Sequence, residues 1–283
     1  MTEHVLVWHS KGSSEASAVP DEPLRLIGMP TGLVRVAAHA PAGEELTAAA
    51  RAVLDKVVAD LRRRVSEPDA PPTRVSLDGL DESAKAAIAD ILGEGDIWAK
   101  VGLDNAFFRV VESVMAGVWR IESSTADGAQ GEWIEIGPVP APILRAAAEL
   151  PRAGIQLPGQ MPQGAMNAPA LLVELQQRSS EYRPGAENHV INFTLLPITE
   201  VDAQVLTSVL GQVPLVIRSG GFGSSRVFGT GLRHVWAVQF INGMGNVILD
   251  TLEIGGVPVS VLAAREDFED SAERLHEILQ AFS

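Results

Sequence analysis

Few stretches of this chain combine the residue types that chemistry requires. The glycine-rich run Ser219-Gly-Gly-Phe-Gly-Ser-Ser-Arg226 is the first of them. Backbone N–H groups of such loops cradle phosphates when the loop opens a helix. This one lacks the closing Gly-Lys-Ser/Thr and runs into an apolar, β-prone segment, Arg226–Phe240, so no helix dipole is aimed at an anion. A glycine-rich hairpin turn is its expected role. Arg233-His234 sets a cation beside a base that titrates near neutrality. Yet the histidines, at 4, 9, 39, 189, 234 and 276, nowhere show the i, i+4 spacing of a helical metal site, and no His-Glu-x-x-His occurs. Asp250 and Glu253 stand at odd spacing on one β-prone run, so they leave opposite faces and do not form an acid–base pair. Cysteine is absent. That excludes disulfides, thiolate nucleophiles, Fe–S ligation by this chain alone and Cys-type zinc sites. No nucleophile elbow and no dinucleotide fingerprint occurs. The expectation is a chain with no catalytic constellation, no cofactor and no metal site.

The elements that hold these residues recur. Leu92-Gly-Glu94 lines up with Leu210-Gly-Gln212 at an offset of 118 positions, and Ile97 and Lys100 line up with Leu215 and Arg218. Arg109-Val110 matches Arg226-Val227, and Val118-Trp119 matches Val235-Trp236, at an offset of 117. Ile134-Glu-Ile-Gly-Pro-Val-Pro140 matches Leu252-Glu-Ile-Gly-Gly-Val-Pro258, again at 118. A period this long indicates two domain-sized units and not a solenoid. The expected fold is α+β: two tandem diverged repeats, each a two-layer domain of antiparallel sheet with helices on one face. Residues 1–45 read as an N-terminal arm, 46–152 as the first, diverged repeat, 153–167 as a Pro/Gly linker, and 168–283 as the second repeat.

Within each unit the periodicity predicts helix, strand, helix, three strands and a closing helix. Helices are expected at 44–64, 81–92, 140–150, 169–182, 199–210 and 265–282. Asp81 serves as an N-cap, Thr199-Glu-Val-Asp202 reads as a capping-box variant, Asn167 is a third candidate cap, and Gly93 ends the second helix. Residues 107–122 and 225–240 read as long strands, the former with a break near Met115-Ala-Gly117. Residues kept in both copies serve the fold common to both. An Arg–Glu pair and a Trp anchor are therefore expected from Arg109/Arg226, Glu135/Glu253 and Trp119/Trp236. Residues that differ between copies carry the functional interest: Thr230, Arg233, His234, Asn242 and Asp250.

The formal charge is −14, with 36 acidic against 22 basic residues, so a phosphate backbone is repelled and nucleic-acid binding is not expected. The compact basic run Arg62-Arg-Arg64 closes a helix pattern, where cations complement the helix dipole. No run approaches the length of a membrane span. The first residues have neither the basic end nor the apolar core of an export signal, so the cytoplasm is the expected compartment.

Four segments together resemble one family. They are Gly164-Ala-Met-Asn-Ala-Pro-Ala-Leu-Leu172, His189-Val-Ile-Asn-Phe-Thr-Leu-Leu-Pro197, Arg226 with Thr230-Gly-Leu-Arg-His-Val-Trp236, and Ile248-Leu-Asp-Thr-Leu-Glu-Ile254. The chain resembles the hydrogenase expression/formation proteins of the HupH/HyaF type over most of residues 165–282. That family commonly carries a cysteine where Ser225 stands here, so no thiol chemistry carries over. The resemblance implies a non-catalytic accessory factor for maturation of an uptake [NiFe]-hydrogenase. Its partners would be the small Fe–S subunit precursor before export and other maturation factors. Candidate partner-binding residues are Met166, Asn167, Phe222, Arg226, Thr230, Arg233, His234, Trp236, Asn242, Asp250 and Glu253. The alternative is a small-molecule or cluster-handling protein, with the glycine loop, Arg226, Arg233 and His234 lining one pocket.

Overall fold

The computed structural model describes residues 46–220 and 224–282. The N-terminal arm and Phe222 lie outside them. The described chain is α+β, with six α-helices and one large antiparallel sheet. In order it runs α1 (Ala48–Ser66), β1 (Thr73–Ser76), α2 (Glu82–Leu92), β2 (Ile97–Leu103), β3 (Ala106–Glu112), β4 (Val118–Thr125), β5 (Gln130–Ile136) and α3 (Ala141–Glu149). The second half follows with α4 (Ala168–Glu181), β6 (His189–Asn192), α5 (Glu200–Leu210), β7 (Gln212–Ser219), β8 (Ser224–Thr230), β9 (Val235–Ile241) and β10 (Val247–Ile254). A 3-10 turn at Val259–Val261 leads to α6 (Asp267–Gln280).

The ten strands make a single sheet in the order β1-β5-β4-β3-β2-β7-β8-β9-β10-β6. The expectation of a separate sheet in each half is corrected at β2 and β7. These strands pair antiparallel from Ile97↔Ser219 through Val101↔Leu215, so the two halves share one hydrogen-bonded surface. Both strands carry a fully apolar row on the same side, with Ala99, Val101, Leu215 and Ile217 buried to within 1%. Two such strands left unpaired would expose a central backbone edge, which pairing removes.

Helices cover both faces, not one. Alternation along β4 and β5 sends Val118, Ile134 and Ile136 to a core with α1, α2 and α6, while Trp119 and Trp133 go to the opposite side. On that second side α3 contributes Ile143 and Ala146 to a core that also holds Val213, Ile217 and Trp236 from the other half. A third core joins α4 and α5 to β6, β8, β9 and β10 on the same face as the first. The linker packs down here: Ile155, Met161 and Ala165 lie against this core, and Ile155 N–H donates to Gln176 Oε1 at 2.8 Å.

Helix ends follow their sequence signals. Asp81 accepts from Ala84 N–H, Thr199 and Asp202 form a capping box, and Gly93 and Gly211 take positive φ at the ends of α2 and α5. Arg64 ends α1 by donating to Pro68 C=O at 2.8 Å. The long strands divide. The first breaks at Ser113–Gly117, as its small residues suggested. The second breaks at Gly231–His234, where His234 adopts φ +60 and the Thr230 hydroxyl donates to Val235 C=O at 2.8 Å. A short turn replaces the expected continuous strand because this side chain satisfies the backbone the turn frees.

The last helix closes the first half. Phe268, Ala272, Leu275 and Leu279 of α6 lie in the core beside Leu54, Val58 and Leu61 of α1. Ser271 Oγ donates to Ala116 C=O at 3.1 Å, and the Phe268 ring lies on Gly117, whose φ is +77. A methyl group at Gly117 would overlap that ring. Gly117→Ala is expected to cost on the order of 3 kcal/mol by combining strain with overpacking. Urea unfolding measures this, and a loss under 1 kcal/mol would mean that α6 is not seated as described.

Glu112, 7% exposed, accepts from Gly117 N–H at 3.1 Å. Burial pushes its carboxyl up to about 7; Gly117 N–H opposes the rise, and Asp267 and Asp96 add to it. The folded chain thus holds this proton where the unfolded chain, near 4.5, has released it. The stabilisation is complete below the unfolded value and is lost as pH climbs to about 7, a change on the order of 3 kcal/mol. Glu112→Gln keeps an acceptor without a charge. It is expected to raise the urea midpoint at pH 8 and to flatten the profile between pH 5 and pH 8; an unaltered profile removes Glu112 as its source.

Candidate functional site

The residues singled out by sequence do not converge on one pocket. Arg226 lies near the start of β8, while Arg233 and His234 lie beyond its end, so about 13 Å of strand separates Arg226 from Thr230 alone. Thr230 is fully buried, and its hydroxyl clamps the β8–β9 turn. Arg233 is held through its backbone: its N–H donates to Arg152 C=O at 2.9 Å, and its C=O accepts from Ser179 Oγ at 2.6 Å. The His234 ring lies 4.8 Å from that of Tyr182. Burial, and then the Arg233 charge, lower its pKa, so it stays neutral at pH 7. This turn fastens Arg152, just ahead of the linker, to α4 and the sheet.

The expected Arg–Glu pair does not form. Arg226 faces the side of Gln239, whereas Glu253 faces the side of Trp236, and these are opposite faces of β9. In the first half Arg109 pairs with Glu94 and Glu122, and Glu135 accepts from Trp133 Nε1 at 2.7 Å and from Ala141 N–H, opening α3. Trp119 is the anchor expected of it, donating to Gly137 C=O at 2.7 Å. Trp236 is as deeply buried, but its Nε1 finds no acceptor among the described residues. Glu253 accepts from Asn188 Nδ2 at 3.3 Å, and burial raises its pKa. Asp250 and Glu253 do leave opposite faces, and Asp250 is 5% exposed beside Gln239. The Asn242 side chain accepts from Met244 and Asn246 N–H and shapes the β9–β10 turn. No cluster of three His, Asp or Glu side chains able to hold a metal occurs among the described residues.

A different organising residue emerges, Asp202. It is fully buried in the first turn of α5. Its Oδ1 accepts from the N–H groups of Met166, Asn167 and Ala168 at 2.8, 2.9 and 2.8 Å. Its Oδ2 accepts from Thr199 N–H and Oγ1 at 3.1 and 2.9 Å. Burial alone would raise this carboxyl, but the donors, Ala168 and Thr199 foremost, hold it below the usual range. One carboxylate therefore caps two helices. Asn167 stands at the N-cap of α4 but makes no capping bond; its side chain donates to Pro197 C=O at 2.7 Å. The sequence showed Asp202 in the capping box of α5 but not its second duty. Its counterpart at the repeat offset, Ala84, offers no acceptor.

The clamp holds two irregular segments side by side, 164–168 and 193–199. Both present apolar groups to solvent: Met166 is 73% exposed, Leu195 80% and Leu196 41%. Exposed side chains on segments held by four backbone hydrogen bonds and one hydroxyl bond to a buried charge form a preorganised contact surface. Asp202→Ala is expected to destabilise by about 3–5 kcal/mol, since it strips the acceptor from several inward-facing donors. It should also speed hydrogen exchange at Met166, Asn167 and Ala168. Exchange at wild-type rates would show that the clamp does not order this segment.

The family model described as the HupH hydrogenase expression protein, C-terminal conserved region, matches residues 165–282. That span holds Met166–Ala168, the segment 193–199 and every candidate residue. Hydrogenase expression/formation protein HupH of Rhodobacter capsulatus is 40% identical over 92% of each chain. HoxQ of Cupriavidus necator is 35% identical over 93% of each. Hydrogenase-1 operon protein HyaF of Escherichia coli is 33% identical over 78% of each. A solved HupH structure from Thiobacillus denitrificans aligns at 27% identity over 41% of this chain and 94% of that one, with a TM-score of 0.35. The identity runs through both halves of the sheet, and on it the chain belongs to the HupH family of hydrogenase expression/formation proteins.

Proposed function

We propose that this protein is a non-catalytic accessory factor in hydrogenase maturation, holding the precursor of the small, Fe–S-carrying subunit in the cytoplasm before export. The observation that carries the reading is the clamped apolar surface: Met166, Leu195 and Leu196 are solvent-facing, and Asp202 bonds the backbone at Met166 and at Thr199, which ends the segment holding the two leucines. Hydrophobic side chains held in place at a surface are what client binding uses. The family relationship supplies the hydrogenase context. The candidate residues of the β8–β9 turn lie at the other end of α4, where Arg233 C=O accepts from Ser179 Oγ. Other maturation factors are further partners on this reading. No helix among the described residues is long and apolar enough to cross a membrane.

The matching offsets of 117 and 118 residues, with five strands from each half in mirrored order, support a duplicated ancestor. On that reading 46–152 and 168–283 are the two copies and 153–167 joins them.

The test is copurification from cells that make the hydrogenase, with the unprocessed small subunit detected by its uncleaved leader. Wild-type protein is expected to retain it. Met166→Ser with Leu195→Ser, substitutions at exposed positions that spare the fold, should lower retention about tenfold. Retention of nothing by the wild type, or equal retention by the variant, sinks the proposal.

A further inference from the structure

The middle of the sheet is covered on one face only. On the face shared by α1, α2, α4, α5 and α6, the helices lie over the two ends of the sheet. Between them β3, β2, β7 and the start of β8 carry no helix among the described residues. Their aromatic and cationic side chains on this face are Trp98, Lys100, Phe107, Arg109, Arg218 and Arg226; Val111 and Val216 share it, Val216 against the α4/α5 core. Lys100, Phe107, Arg109 and Arg218 are exposed, and Trp98 and Arg226 are half-buried. One residue along each central strand, Ala99, Val101, Leu215 and Ile217 are sealed under α3 and the 3-10 turn on the other face.

The charges here run against the rest of the molecule. The chain carries −14, yet four of its 22 cations stand together on this strip. They stand in register: Lys100 lies directly across from Arg109, and Arg218 directly across from Arg226. Like charges in directly opposed cross-strand positions destabilise a sheet. Arg109 is relieved by Glu94 and Glu122 at 3.3 and 2.8 Å. Lys100 and Arg226 have no carboxylate in salt-bridge contact among the described residues. The Arg218 guanidinium lies over the Trp98 ring, 5.0 Å from its centre, which holds it flat on the sheet. Phe107, 46% exposed, adds an apolar floor beside Lys100.

From these observations we infer that the open strip is a docking face for an acidic segment of a partner protein. Three strand spacings from β3 to β8 give a width of about 14 Å, and a helix with its side chains is about 10–12 Å across. One segment therefore fits between the flanking helices. Carboxylates would meet Lys100 and Arg226, and apolar side chains would meet Phe107 and Trp98. A protein is favoured over nucleic acid because a phosphate backbone brings a charge every 1.7 Å or so against a net −14 field. The strip uses strands apart from the Met166–Leu196 surface, so the inference stands whether or not that surface holds a hydrogenase subunit.

The test uses the full chain and three fluorescein-labelled probes read by anisotropy: a 16-residue Glu/Leu/Phe peptide, the same peptide with Lys for Glu, and a short DNA duplex. The acidic peptide is expected to bind at least about tenfold tighter than either other probe. Lys100→Glu and, separately, Phe107→Ala should each weaken it about five- to tenfold without altering the circular dichroism spectrum. A photo-crosslinking residue in place of Phe107 should attach to the peptide. Equal binding of the Lys peptide, tighter binding of DNA, indifference to both substitutions, or crosslinking to the chain's own residues 1–45 in the presence of peptide would each overturn the proposal.

Discussion

The pairing of β2 with β7 is the constraint from which the rest of the architecture follows. Each half brings a meander whose first strand would otherwise be an open edge. Joining the two edges makes a sheet of ten strands whose hydrogen bonds run unbroken across its centre. It also aligns Ala99 and Val101 with Ile217 and Leu215, and thereby creates an apolar row that neither half could bury alone. The α3 helix and the turn after β10 supply the cover, which explains why this core draws residues from both ends of the chain. A junction built from backbone bonds and a dry interior is not a linker-joined pair of domains.

One face pays for that junction by exposure. On this face α1, α2 and α6 lie over the outer strands of the first half, and α4 and α5 over those of the second. The middle of the sheet is left uncovered, and cations and aromatics occupy it. Two surfaces with different chemistry result. One is apolar and local, held by Asp202. The other is cationic, and it exists only because two halves meet.

Local features were legible in the sequence and non-local ones were not. Asp81, Thr199 and Gly93 marked helix ends because capping depends on neighbours within one turn. The matched Lys100/Arg218 and Arg109/Arg226 pairs were visible as recurring cations, but the pattern could not say that β2 and β7 would bring all four side by side. The break at Gly231–His234 lacked proline or Asn-Gly and rests on a histidine at positive φ, a conformation tertiary contacts enforce. The Arg–Glu pair failed because repetition in sequence does not report which face a residue takes. Asp202 announced one helix cap. Its bonds to Met166–Ala168 span more than thirty residues, a distance at which spacing says nothing.

The seating of α6 on α1 has a consequence for biosynthesis. The amino-terminal hydrophobic interior is completed by Phe268, Leu275 and Leu279, contributed by the closing stretch of the polypeptide. A ribosome that has made the entire leading half has therefore not yet supplied its final layer. That half must wait, incompletely sealed, until residues 267–280 have emerged from the exit tunnel.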